Sequence, residues 1–506
     1  MPRSRATPDT AAAIDLGSNS FHMIVARIQD GQVAVIDRIR DAIRLASGID
    51  ADNNIDAATQ EQALECLRKF GQRLADFPPG SVRAVGTNTL RNANNSYTFL
   101  ARAEEALGHP IDIISGVEEA RLIYRGVAHS LAVTGQRRLV MDIGGGSTEL
   151  IIGDDRGPVY MESMEMGCVT VSRNFFPDGG ITPKRIDRAR IFALTELEPH
   201  VSGFLKVGWD QAIGASGTIR SVSKVLGAAG WSGDTITLDG LKKLIEKLGS
   251  FDSVDKIKLD GLADERAPVF IGGAIVLLAT FEALDIKEME VSDRALREGL
   301  LHDLIGRLQD QDVRDSSIAH LAQRYHADAG QAQRVKQTAL DALQQVTLEW
   351  GLDYQEAEQW LGWAAELHEI GLDIAHNRHH HHAAYIIEHS DLAGFSQQEQ
   401  RFLAAIVRSQ RRKPPLKLYK ELPKRISKPV KRLSVILRLA VILHRGRSDT
   451  PLPAFTLKLS NKTSLELCLD DTWLQQHPLT QADLEQEKCF LANAGFELRL
   501  CQEAQS

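Results

Sequence analysis

Ala12-Ala-Ile-Asp-Leu-Gly-Ser-Asn-Ser-Phe-His-Met-Ile-Val-Ala26 is the stretch whose reading decides the fold. A buried strand runs into Asp15-Leu-Gly-Ser-Asn-Ser20, whose residue types favour a turn, and a second strand leaves through His22 to Ala26. An Asp30-Gly31 turn then leads into a third extended run over 32–39. The unit returns 127 positions after Asp15: Arg138-Leu-Val-Met-Asp-Ile143 is a strand, Gly144-Gly-Gly-Ser147 a turn, and Thr148 opens the return strand. Two strand-Asp-x-Gly-turn-strand units predict an internal structural repeat, hence two related lobes facing one cleft.

Between and beyond the hairpins the pattern alternates. Ala63, Leu67, Phe70 and Leu74 recur at helical spacing, 82–85 reads as a strand and 97–107 as another helix. Two further glycine-rich segments, Ile213-Gly-Ala-Ser-Gly-Thr-Ile219 and Phe270-Ile-Gly-Gly-Ala-Ile275, are expected as turns at the cleft floor. After residue 309 the segments 318–350, 354–370, 383–389 and 397–407 read as successive helices, and 455–500 regains strand alternation. The expected division is therefore 1–128 and 129–308 for the lobes, 309–450 for an all-α domain and 451–506 for a small α/β domain. A chain of 506 residues exceeds what one core supports, in keeping with several domains.

The sequence holds no apolar run near bilayer length, and the residues after Arg3 and Arg5 are too short an apolar stretch for a signal peptide, so 1–10 reads as a disordered lead. Five scattered cysteines (Cys66, Cys168, Cys468, Cys489, Cys501), odd in number and never in a CxxC pair, argue against a disulfide framework and a thiolate zinc site. A reducing, cytoplasmic location is the expectation. The net charge is -8, yet residues 408–432 hold eleven Lys and Arg, among them Arg411, Arg412, Lys413, Lys417, Lys420, Lys424 and Arg425, against the single acid Glu421. Such a strip suits RNA, an anionic membrane surface or another polyanion. With Tyr419 as its one aromatic, base stacking is poorly supported, and no specific nucleic acid is expected; charge without base reading suits polyphosphate.

Glycine in each loop lets backbone amides close on a phosphate, and Ser18, Ser20, Ser147 and Thr148 add hydroxyl donors; neither loop is a Walker P-loop. Asp15 and Asp142 would face each other across the cleft and hold Mg2+, or else cap their own turns. In Ile113-Ile-Ser-Gly-Val-Glu-Glu-Ala120, Ser115 can cap a helix whose first turn carries Glu118 and Glu119. Those acids answer the helix dipole, or one of them is the base that activates water. Arg91 in Gly86-Thr-Asn-Thr-Leu-Arg91 is a candidate phosphate ligand or a surface ion-pair partner. Leu367-His-Glu-Ile-Gly371 and Arg378-His-His-His-His-Ala-Ala384 resemble the histidine motifs of HD-type phosphohydrolases, but His368-Glu369 replaces the essential His-Asp pair. The run His379 to His382 reads equally as solvated imidazole at a loop-to-helix junction, and no metal is assigned to it.

AIDLGSNSFHM, VGTNTLR, IISGVEEARLIYRG, MDIGGGSTELIIG, MGCVTVS and GASGTIRSV resemble the exopolyphosphatase and guanosine pentaphosphate phosphohydrolase family, and SDRALREGLL, WAAELHEIGL and HHAAYIIEHSDLAGF resemble its long exopolyphosphatases. The resemblance implies an α/β fold of two actin/hexokinase-like (ribonuclease H-like) lobes, then an HD-like helical domain and a small C-terminal α/β domain, in a homodimer. It implies Glu119 as the catalytic base; Asp142, Glu149 and Asp15 for Mg2+; and Arg91, Asn19, Ser20, Gly144, Gly145, Gly146 and Ser147 around the terminal phosphate. Arg411, Arg412, Lys413, Lys417 and Lys420 would line a polyphosphate channel. The implied activity is processive release of orthophosphate from polyphosphate, with pppGpp as the alternative substrate. An actin-like-fold kinase, in which Ile271-Gly-Gly-Ala274 would be an adenosine turn, or a non-catalytic polyanion binder are readings from other classes. K+ activation and peripheral association with the inner face of the cell membrane stay open.

Overall fold

A computed structural model describes residues 9–29, 32–78, 80–129, 131–308 and 312–503, so the expected Asp30-Gly31 turn and most of the N-terminal lead lie outside the described residues. The chain forms two compact units, Met1–Asp312 and Val313–Ser506.

In the first unit, β1 (Thr10–Leu16), β2 (Phe21–Gln29), β3 (Gln32–Asp41), β4 (Val82–Gly86) and β5 (Ile111–Ile113) make a sheet of order β3-β2-β1-β4-β5. The hairpin strands pair antiparallel; β1 with β4 and β4 with β5 pair parallel. β6 (Arg138–Ile143), β7 (Thr148–Asp154), β8 (Gly157–Met164), β9 (Gln211–Gly214), β10 (Ile236–Thr237) and β11 (Glu288–Val291) make the second sheet, of order β10-β11-β9-β6-β7-β8. Apart from β10, which joins antiparallel at the edge, this is the first sheet again with the same pairing directions. The repeat read from the two hairpins is thus a repeat of topology, the duplicated actin/hexokinase-like lobe. Parallel pairs require crossover segments, and helices such as Ala57–Leu74 and Pro183–Val207 supply them.

The Phe270–Ile275 segment is not a turn. It lies inside the Ala267–Leu284 helix, buried from Phe270 to Phe281 in the core of the second lobe. Paired glycines read locally as a turn signal, but tertiary packing decides otherwise. A side chain at Gly272 would come within 2.6 Å of the Cys168 carbonyl, so the glycine is what lets the Cys168–Phe175 helix pack against it. The Asp264–Leu284 segment is also long and apolar enough to cross a membrane by length and composition, which the sequence reading overlooked; in the structure it is mostly buried.

The helices Gly116–Ala128 and Leu296–Leu308 cross in close contact, because a Cβ at Gly299 would overlap the Leu122 carbonyl and one at Gly126 would overlap that of Ala295. A buried charge network seals the crossing. Asp303 accepts from Arg83, from Arg121 Nη2 at 2.5 Å and from Arg307 Nε at 3.2 Å, with Arg125 at 3.4 Å. Arg121 also holds Glu118 through two bonds of 2.7 and 2.8 Å.

In the second unit, helices that include Val313–Arg324, Ala329–Trp350, Tyr354–Leu367, His379–His389, Gln397–Arg408 and Lys424–Leu443 precede a sheet of β12 (Thr456–Asn461), β13 (Ser464–Asp470) and β14 (Glu497–Glu503). The pattern read as one helix over 318–350 is two, broken where Asp328 caps the second by accepting from Gln331 N. The sheet expected as a separate domain over 451–506 shares one core with the helices: Leu457, Leu465 and Leu467 pack in a cluster with Val346, Trp350 and Ile436. Cys468 and Cys501 sit opposite each other on β13 and β14 and are joined as a disulfide, which corrects the expectation against disulfides. Sequence spacing cannot show a pair that only parallel strand pairing brings together. His379 and His380, read as solvated, are buried in the first turn of their helix, and burial lowers their pKa values to about 4 and about 3.

Candidate active site

The two hairpin turns meet in one cleft of about 350 Å3 lined by Asp15, Gly17 to Ser20, Asp142 and Gly144 to Ser147. A Cβ on Gly145 would lie 2.9 Å from Ser18 Cβ, so glycine is what lets the loops approach. The carbonyls of Gly144, Gly145 and Gly146 accept from Cys168 N (2.9 Å), Val169 N (2.9 Å) and Gly167 N (3.0 Å), at the start of the Cys168–Phe175 helix. Those bonds pin the loop's carbonyls to the start of the helix. The amides of Gly145, Gly146 and Ser147 make no backbone hydrogen bond among the described residues, whereas Gly144 N donates to Ser147 O at 2.9 Å. Gly144 therefore shapes the turn and has no amide to offer a phosphate, a correction to its expected role.

Residues 118 and 119 separate cleanly. Ser115 Oγ accepts from Glu118 N at 3.1 Å, and the Glu118 carboxylate points away into the Arg121 and Asp303 network. The next residue along the helix, Glu119, faces the cleft. Burial raises the pKa of Glu119, and Arg91, 3.5 Å away, partly offsets this. Burial and the neighbouring Glu119 also lift Asp15 and Asp142 to about 7 each, and Glu149 well above the usual carboxylate range. Mutual repulsion among four carboxylates, with Asp15 Oδ1 and Glu149 Oε2 buried without a hydrogen-bond partner among the described residues, is what a divalent cation would relieve. Facing them are Arg38, Arg40, Arg220, Arg266 and Arg297, none singled out by the sequence reading.

Two family models match the chain, the Ppx/GppA phosphatase family over residues 24–308 and Ppx/GppA phosphatase domain III over 313–488. The chain belongs to the Ppx/GppA phosphatase family. It is 39% identical over 491 residues to the guanosine-5'-triphosphate,3'-diphosphate pyrophosphatase of Aeromonas hydrophila, covering 97% of this chain and 98% of that one. The protein of the same name from Vibrio cholerae is 39% identical over 492 residues, 97% of each chain. The solved structure of an exopolyphosphatase from Cytophaga hutchinsonii, 22% identical, superposes with a TM-score of 0.53 over 60% of this chain and 98% of that one, and so shares the fold.

Within this family fold, Asn19, Ser20, Asp15, Asp142, Glu119, Gly145, Gly146 and Ser147 come together on the cleft wall. Arg91 and Glu149 do not line it. Arg91 Nη1 donates to the Ile114 carbonyl at 2.7 Å and lies against Glu119, while Glu149, opposite Asp142 in the β6/β7 register, accepts from Ser163 Oγ at 2.8 Å. The cleft arginines come from scattered elements; only Arg220, three residues after the Gly-Ala-Ser-Gly turn at 214–217, and Arg297, the second residue of the Leu296–Leu308 helix, fall inside the motifs GASGTIRSV and SDRALREGLL.

The cationic strip of the second unit is divided. Arg411, Arg412 and Lys413 line a separate cleft with Arg378, Arg408 and His380, and among the described residues no carboxylate lines it. Arg411 Nη1 donates to His379 Nε2 at 3.0 Å. Lys417 and Lys420 stand on the short Leu416–Glu421 helix, where Lys417 lies 3.8 Å from Glu421. The side chains of Lys424 and Arg425 lie outside the described residues.

Proposed function

We propose that this chain hydrolyses the 5'-terminal phosphate of pppGpp, giving ppGpp and orthophosphate. The observation that carries the reading is the similarity, over 97% of the chain, to proteins named for that nucleotide. The cleft agrees with it: five arginines suit a ligand with several phosphates, and the two loops suit the terminal one.

The amides of Gly145, Gly146 and Ser147 and the side chains of Asn19 and Ser20 would hold the terminal phosphoryl group. Glu119 would take a proton from a water whose oxygen attacks phosphorus as the bond to the bridging oxygen breaks. A carboxylate with a raised pKa is a competent base near neutral pH. Asp142, with Asp15 across the cleft and Glu149 behind it, would hold Mg2+, which supplies charge neutralisation at the phosphate oxygens. Arg91 would keep Glu119 oriented. Preorganised amides and guanidinium groups meet the charge on the equatorial oxygens without a covalent intermediate.

Polyphosphate is the second reading, favoured by the acid-free basic cleft around Arg408, Arg411, Arg412 and Lys413. Phosphate release from pppGpp, long polyphosphate and ATP, each with Mg2+, separates the readings. The proposal expects the highest kcat/KM on pppGpp, lost in Glu119→Gln; a clear preference for long polyphosphate would replace it with the second reading.

A further inference from the structure

Asp15 and Asp142 occupy equivalent places in the two lobes, and so do the residues facing them: Asp15 pairs with His22 across β1/β2 as Asp142 pairs with Glu149 across β6/β7. The first lobe therefore carries an imidazole where the second carries a carboxylate. That imidazole lines the cleft and is bonded at both ends. Arg297 Nη1 lies 2.9 Å from His22 Nδ1, and Ser20 Oγ lies 2.8 Å from His22 Nε2.

The chemistry of these partners fixes the proton. A guanidinium only donates, so Nδ1 accepts from Arg297 and carries no hydrogen. The hydrogen is then on Nε2, which donates to Ser20 Oγ. With its oxygen already accepting, the Ser20 hydroxyl has its own proton left to give, and Ser20 stands in the loop that faces Gly145 across the cleft. A serine hydroxyl left alone can present either a lone pair or a proton; a lone pair would repel a phosphate oxygen. Burial, helped by the charges of Arg297, Arg40, Arg266 and Arg220, keeps the imidazole neutral.

We infer that His22 is a positioning residue: held between Arg297 and Ser20, it orients the Ser20 hydroxyl as a donor into the phosphate cleft and fixes Arg297 beside it. The inference rests on the reading that Ser20 binds phosphate, and extends it to a residue that acts through Ser20 and Arg297. Its signature is coupling. His22→Phe removes both hydrogen bonds and keeps a ring. His22→Gln places a carbonyl oxygen and an amide N–H where the two ring nitrogens were.

The test is a double-mutant cycle of His22→Phe and Ser20→Ala, with His22→Gln alongside, on the full chain with Mg2+. Readouts are kcat and KM for pppGpp and, independently of turnover, the affinity for inorganic phosphate by calorimetry, with thermal melting to confirm folding. His22→Phe should lower kcat/KM by about tenfold to a hundredfold and weaken phosphate binding. His22→Gln should recover most of both. In the Ser20→Ala background His22→Phe should cost several-fold less. Equal cost in both backgrounds, or a glutamine no better than phenylalanine, overturns the inference. Absence of turnover in the native chain would instead count against the proposed function, and the phosphate affinities would still decide the role of His22.

Discussion

Asp303→Asn should destabilise the first unit more than any surface charge change. Asp303 is 2% exposed and accepts from Arg83 and Arg121, with Arg125 and Arg307 also within reach. The two longer-range arginines are partly exposed and can turn to water; Arg83 and Arg121 are buried and cannot. Asparagine keeps the shape and removes the charge, leaving those two guanidinium groups to share Glu118. Breaking one partner of a buried pair costs about 3–5 kcal/mol. At roughly 2 °C per kcal/mol for a unit of this size, the melting temperature should fall by about 6–10 °C. Calorimetry on the variant reads this directly. Asp252→Asn, whose partner Lys256 is exposed, is the control and should stay within about 0.5 kcal/mol of the native chain. The arginines hold the Asp303 carboxyl well below the usual range, so its contribution is complete above the unfolded value of about 4 and lost only as pH falls through the folded one. The difference between native chain and variant should therefore be flat from pH 8 to pH 5. A shift under about 2 °C, or one that changes strongly across that range, would refute the reasoning.

Three further outcomes are expected. Chelating divalent cations should abolish phosphate release, and because it leaves the carboxylates of Asp15, Asp142 and Glu149 facing one another it should also lower the melting temperature; a chelator without effect on either would remove the metal from the account. Burial holds His379, His380 and His444 neutral down to about 4, about 3 and about 4, while the unfolded chain takes up protons near pH 6.5, so the second unit should lose stability steadily below pH 6.5, and His444→Gln should lessen the slope of melting temperature against pH. Lys413→Glu, Lys417→Glu and Lys420→Glu together should weaken turnover of long polyphosphate and leave that of pppGpp unchanged; equal losses would show that the strip does not select for chain length.

Much of the first unit was legible because its signals are local. Asp15-Leu-Gly-Ser-Asn-Ser20 and Asp142-Ile-Gly-Gly-Gly-Ser147 carry their turns in their own residues, and the repeat of one after the other announced the duplicated lobe. Choosing between Glu118 and Glu119 was beyond such signals, since one helical step decides which carboxylate meets Arg121 and which meets the cleft. The cleft arginines were invisible for the same reason: Arg40 on a hairpin strand and Arg266 before a core helix gain meaning only when the lobes close on them. Gly272 and Gly273 misled because a glycine pair reads the same whether it bends the chain or lets another helix approach. Cys468 and Cys501 were missed because a parallel strand pair is a long-range fact.

Hydrolysis of pppGpp in water enriched in oxygen-18 tests the central claim most directly, with mass spectrometry of both products. Water aligned by Glu119 on the terminal phosphorus predicts one labelled oxygen in orthophosphate, none in ppGpp, and loss of the labelled product in Glu119→Gln. Label in the nucleotide, or undiminished labelled orthophosphate from Glu119→Gln, would contradict it.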